Sequence, residues 1–145
     1  MFMRSRVIVD FMTADPVRIP SDAPIPGAHA LMREANVRHL VVMNGSELLG
    51  VVSQRDLYVI ETLAGAEPES AVVEEAMSPD PYVVPPTAPL AEVARTMLEK
   101  HCESALVVDG REVLGIFTTS DALRALAELL ADDKVEPEEH DISFE

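Results

Sequence analysis

The chain contains no tryptophan, only six phenylalanines and tyrosines together, one cysteine and eleven basic side chains among 145 residues. Each shortage removes a class of explanation. A lone Cys102 cannot build an internal disulfide framework and suits a reducing compartment. Eleven lysines and arginines against twenty-six acids give a formal charge of −15. A chain this acidic lacks the cationic footprint that phosphate backbones demand, so nucleic acid is not an expected partner. No apolar run reaches the length of a signal-peptide core or a membrane span, so no membrane partner is expected and the cytoplasm is the expected compartment. The acid is uneven: residues 1–60 are balanced, residues 61–75 are acidic without a base, and the tail after residue 131 carries acids against Lys134 alone. Such a tail reads first as a solubilising, disordered segment.

What the chain does have is repetition. Met12–Asp56 laid over Met77–Asp121, sixty-five residues on and without a gap, gives fourteen identities in forty-five positions. Chance would give roughly three. The matches include Met12/Met77, Asp15-Pro16/Asp80-Pro81, Pro20/Pro85, Ala23-Pro24/Ala88-Pro89, Met32/Met97, Gly45/Gly110, Leu49-Gly50/Leu114-Gly115 and Asp56/Asp121. Each copy is too short to bury enough surface alone, so one globule with a shared core is expected.

Both copies carry the same signals in the same order. Val17–Ile19 is too brief for anything but a strand. Asp22 before Pro24, and Thr87 before Pro89, place a capping residue and a first-turn proline at two helix starts. Leu90, Val93, Ala94, Met97 and Leu98 then mark one buried helical face. Apolar runs around Asn44-Gly45 and Asp109-Gly110 read as hairpins of buried strands. Each hairpin leads into a second helix, from Asp56 and from Asp121. The expected class is α/β, with two tandem β-α-β-β-α units packed around a pseudo-two-fold axis: residues 7–63, a linker at 64–69, residues 70–131, and a tail at 132–145. Short helices are expected ahead of each unit, over Val7–Phe11 and Ser70–Ala76.

The sharpest local feature is GVVSQRD, Gly50–Asp56, with its echo GIFTTSD, Gly115–Asp121. A single hydroxyl-x-x-Asp at a helix start reads as a capping box. Two copies, each entered by Gly-apolar-apolar, widen the reading. A helix N-terminus with a hydroxyl can hold phosphate, and a neighbouring carboxylate can accept hydrogen bonds from a ribose diol. No histidine, cysteine or serine arrangement resembles a catalytic or metal-binding constellation, so neither an enzyme nor a metal site is expected. Cys102 aligns with Val37 and reads as a small buried apolar residue.

The pattern resembles a tandem pair of cystathionine-β-synthase (CBS) domains, a Bateman module, over residues 7–130. The motifs that carry the resemblance are Met12–Pro16 with its counterpart Met77–Pro81, the hairpins ending at Gly50 and Gly115, and the two hydroxyl-x-x-Asp endings. The resemblance implies a regulatory module that binds AMP, ADP, ATP, S-adenosylmethionine or NAD between the copies. It implies Asp56 and Asp121 as ribose ligands, and Ser53 and Thr118 as groups near phosphate. It also implies a homodimer and a regulated protein partner. The expected first site comprises Asp15, Val17, Arg18, Arg38, His39, Ser53, Arg55 and Asp56. The second comprises Asp80, Tyr82, Ser104, Thr118, Ser120 and Asp121. Because Arg38, His39 and Arg55 face Glu103, Ser104 and Ser120 in the alignment, the Asp56 site is expected to take the more highly phosphorylated ligand. Arg18 and Val83 stand where family members often carry threonine, so a ligand-free dimerisation or scaffold module is the alternative.

Overall fold

A computed structural model describes residues 6–63 and 70–131; the expected linker and acidic tail lie outside the described residues. The first unit contains β2 (Arg18–Pro20), α1 (Ile25–Ala35), β3 (His39–Asn44), β4 (Glu47–Ser53) and α2 (Gln54–Leu63), preceded by a 3-10 turn (Ile8–Asp10) and β1 (Thr13–Ala14). The second follows the same order: α3 (Val73–Ala76), β5 (Val83–Val84), α4 (Leu90–Lys100), β6 (Ser104–Asp109), β7 (Glu112–Thr118) and α5 (Thr119–Ala131). The mixed α/β class and the two short leading helices are as the sequence implied.

Within each unit the first strand lies parallel to the next, which forms an antiparallel hairpin with the third. The hairpin strands are apolar on both faces because both faces are buried, and the two-residue period divides them. In β3, Leu40 and Val42 join the helices in one core, whereas Val41 points the other way. In β6, Ala105 and Val107 do the same in a second core, and Leu106 opposes them. Val41, Val51, Leu106, Val113 and Ile116 meet in a third cluster, between the sheets. This central cluster is the shared core that neither repeat could build alone. Both hairpins turn through two residues whose first is a glycine at positive φ, +60° at Gly45 and +63° at Gly110. Asn44 and Asp109 therefore end strands rather than occupy the turns.

The leaders cross over. β1 pairs antiparallel with β7, placing Thr13 opposite Ile116, and Ser78 bridges to Val51 of β4. Ile8, ahead of the first repeat, is fully buried in the second repeat's core beside Phe117 and Val93. Ala71 and Val73, ahead of the second repeat, are buried in the first repeat's core. The exchange is reciprocal, as an internal approximate two-fold axis requires. Gly50 and Gly115 make it possible: a Cβ on Gly115 would sit 2.8 Å from the Thr13 carbonyl oxygen, and one on Gly50 would strike the Ser78 carbonyl. The glycine that opens each hydroxyl-x-x-Asp motif is thus the place where the other leader passes.

This crossing also corrects the expected helix starts. α1 and α4 begin after Pro24 and Pro89, with no side-chain cap from Asp22 or Thr87. The exchanged leaders cap the backbone instead: the Ile25 N–H donates to Ala71 O at 3.3 Å, and the Leu90 N–H to Arg6 O at 2.9 Å. Both helices end in non-glycine residues in the left-handed region, Asn36 at φ 54° and His101 at φ 55°. Their N–H groups return to the last turn, and the chain then enters β3 or β6.

Candidate functional site

The start of the middle strand and the end of the third lie side by side in each unit, with His39 opposite Ser53 and Ser104 opposite Thr118. Two adjoining clefts open there. The larger, about 1060 Å³, receives Asp15, Val17, Arg38 and His39 from the first repeat together with Thr118, Ser120 and Asp121 from the second. The smaller, about 290 Å³, receives Asp80, Tyr82 and Ser104 from the second repeat together with Asp56 from the first. Ser53, Arg55, His39 and Glu103 line both.

The expected residues are therefore brought together, but in different company. The sequence grouped each aspartate with the leader and strand start of its own repeat. The structure groups each with those of the other, because every leader crosses to the opposite sheet. Asp121 shares its cleft with Asp15, Val17 and Arg38; Asp56 shares its cleft with Asp80, Tyr82 and Ser104. Arg18 lines neither cleft. Its Nη2 donates to Val113 O at 2.7 Å and its Nη1 to Pro16 O and Asp15 Oδ1 at 3.1 Å, so it ties the leader to β7.

Both hydroxyl–carboxylate motifs form capping boxes. The Ser53 N–H donates to Asp56 Oδ2 at 2.9 Å, and the Asp56 N–H to Ser53 Oγ at 3.1 Å. The Thr118 N–H donates to Asp121 Oδ2 at 2.8 Å, and the Asp121 N–H to Thr118 Oγ1 at 3.4 Å. These bonds satisfy the orphan donors at the starts of α2 and α5. The second oxygens differ. Asp121 is 3% exposed, and its Oδ1 accepts from Thr13 Oγ1 and Arg124 Nη1, each at 2.7 Å. Asp56 is half-buried, and its Oδ1 has no partner among the described residues.

Thr13 and Arg124 are thus site residues that motif reading passed over. Arg124 had a signal, since it stands three residues after Asp121 on one helix face, where an acid and a base meet. Thr13 lies inside the leading Met-Thr-x-Asp-Pro, but only the crossing brings it to Asp121.

The charge is distributed against the sequence expectation as well. Arg38, Arg55 and Arg124 all line the larger cleft, facing Asp15, Glu103 and Asp121. Arg55 is the one arginine of the smaller cleft, against Asp56, Asp80 and Glu103. The cationic advantage assigned to Asp56 belongs to the cleft of Asp121. Between the two lies His39, whose Nε2 is buried with no hydrogen-bond partner among the described residues. Burial lowers its pKa from 6.5, against the opposing pull of Glu103, Asp56 and Asp121, so the ring is neutral at pH 7. A buried imidazole nitrogen without a partner is costly unless something else supplies one.

Among the described residues no cluster of three histidine, cysteine or acidic groups could hold a metal ion. None of the described helices is long and apolar enough to cross a membrane. Cys102 packs half-buried against the second core.

The family model for the CBS domain matches twice, over residues 8–60 and 73–128. An inosine-5'-monophosphate dehydrogenase of Korarchaeum cryptofilum is 30% identical over 112 residues, covering 77% of this chain. The chain spans only 22% of that relative's length. Among solved structures, the Vibrio cholerae AcuB protein superposes with a TM-score of 0.80 at 29% identity, covering 92% of this chain and all of that one. The CBSX2 protein, solved in complex with AMP, superposes with a TM-score of 0.73 at 28% identity, covering 86% of this chain and 98% of its own.

Proposed function

Because this chain belongs to the CBS domain family, we propose that it is a non-catalytic regulatory module whose larger cleft takes a phosphorylated adenosyl ligand of the AMP, ADP or ATP type. S-Adenosylmethionine and NAD are the lesser candidates. One observation carries the reading: the two repeats bring a hydroxyl–carboxylate helix start, three arginines and an unpartnered buried imidazole nitrogen to the wall of one cleft. The arginines suit phosphate, and Asp121, by exchanging the exposed Arg124 for a ribose diol, suits the sugar. The AMP complex of a protein 28% identical to this one supports the ligand class.

Output follows from differential affinity. A ligand shifts a conformational balance only as far as it binds one state better than the other. The larger cleft is walled by elements of both repeats, so occupancy bears on the angle between them. Tyr58, Val59 and Leu63 on α2, with Leu123, Leu126 and Leu130 on α5, leave apolar side chains exposed. These faces suit a homodimer or a regulated protein partner, through which occupancy would be read.

Thermal-shift measurement with AMP, ADP, ATP, S-adenosylmethionine and NAD tests the proposal. A ligand at a hundred times its Kd stabilises by about 2.7 kcal/mol. At least one of the five should raise Tm, and Asp121→Asn should remove most of that gain. No shift with any of them favours the second reading, a ligand-free scaffold. The observation on that side is that both carboxylates already serve as caps, with both oxygens of Asp121 engaged.

A further inference from the structure

Arg55 Nη1 lies 3.0 Å from Glu103 Oε1. The pair joins the first turn of α2 in one repeat to the residue before β6 in the other, and both members line both clefts. The internal symmetry offers no counterpart. Ser120 stands at the position equivalent to Arg55, and Arg38 at the position equivalent to Glu103. Arg38 makes no ion pair among the described residues. The contact is therefore particular to the diverged repeats and is not required by the fold.

A carboxylate and a phosphate are the same kind of partner to a guanidinium, and one guanidinium group cannot serve both fully. The geometry points to Glu103 as an internal competitor for the ligand's phosphate. It holds Arg55 in the empty protein and yields it when a phosphorylated ligand enters. This inference rests on the reading of the clefts as nucleotide sites. Arg55 is 77% exposed and Glu103 43%, so the pair is soft enough to open. Exposed pairs of this kind favour the closed form by no more than about fivefold. Opening is required for a phosphate to reach Arg55 and not for a neutral nucleoside, so Glu103 sets the preference between the two.

Calorimetric titration of the full chain with AMP and with adenosine tests this. Glu103→Gln keeps the side chain's size and removes its charge. The ratio of AMP affinity to adenosine affinity should rise about three- to fivefold over the wild type. Arg55→Gln should lower the ratio, and adding Glu103→Gln to it should restore little, since the two act on one contact. An unaltered ratio in Glu103→Gln overturns the competitor while leaving the nucleotide reading in place. The same gain in the Arg55→Gln background also overturns it, because Glu103 would then act by general repulsion. A wild type that binds neither AMP nor adenosine overturns the competitor, and one that also binds none of ADP, ATP, S-adenosylmethionine and NAD refutes the nucleotide reading with it.

Discussion

Replacing Ile8 by alanine perturbs the second repeat from a position ahead of the first. Ile8 is fully buried beside Phe117, Val93 and Val84, and its N–H donates to Ala88 O at 2.8 Å. Truncation removes three carbons, worth about 2.4 kcal/mol in transfer alone at ~0.8 kcal/mol each. The cavity left behind raises the total to between about 2.4 and 5 kcal/mol, depending on how far Phe117 and its neighbours collapse. For a domain of this size, each kcal/mol lowers Tm by roughly 3–5 °C, so a fall of about 7–25 °C is expected. Urea denaturation followed by circular dichroism gives the free energy, and calorimetry the number of transitions. The transition should stay single, because the crossed leaders and the central cluster of Val41, Leu106 and Ile116 bind the repeats into one cooperative unit. A change below about 0.5 kcal/mol would place Ile8 at the surface and refute the crossing. Two resolved transitions, one per repeat, would refute the shared core.

Gly115→Ala should cost about 1–3 kcal/mol by forcing β1 away from β7, whereas Gly27→Ala, with open space around its Cβ within α1, should be neutral or stabilising; equal denaturation midpoints for the two would contradict the close approach of Thr13. The His39 imidazole is held below 6.5 by burial, so between that value and its folded pKa the unfolded chain binds more protons than the folded one. Its contribution to stability is whole above pH 6.5 and is lost as pH falls from there through the folded pKa; Tm measured from pH 8 to pH 5 should show this loss, and His39→Asn should flatten it. A wild-type profile no steeper than that of His39→Asn would show that the ring is not buried as a neutral group.

The elements were legible because hydrophobic period and turn chemistry agreed in both copies. On the expected α4 face Leu90, Val93 and Met97 are buried as the spacing implied, but Ala94 is half-buried and Leu98 is 77% exposed, and the glycine turns and buried hairpins follow from their motifs. The crossing was not legible. A two-residue strand such as Thr13–Ala14 carries no register information, and two near-identical sheets offer it near-identical edges. Only the missing Cβ of Gly50 and Gly115 marked the edge where a leader passes, and a glycine after an apolar run has other readings. Site composition failed with it, since whichever sheet a leader joins decides which aspartate Asp15 and Val17 accompany. The caps at Asp22 and Thr87 failed for the same reason: the helix ends there are met by the backbone of the exchanged leader.

Each cleft is composite: Asp121 of the second repeat meets Asp15 and Arg38 of the first, and Asp56 of the first meets Asp80 and Ser104 of the second, with His39 and Ser53 lining both. A crystal structure of the chain with AMP would show whether a ligand reads this composition. AMP is expected in the cleft of about 1060 Å³, with its ribose at Asp121 and its phosphate within hydrogen-bond reach of Arg38 or Arg55. An AMP whose ribose sits on Asp56 while its phosphate meets Arg38, or one bound away from both clefts, would contradict it.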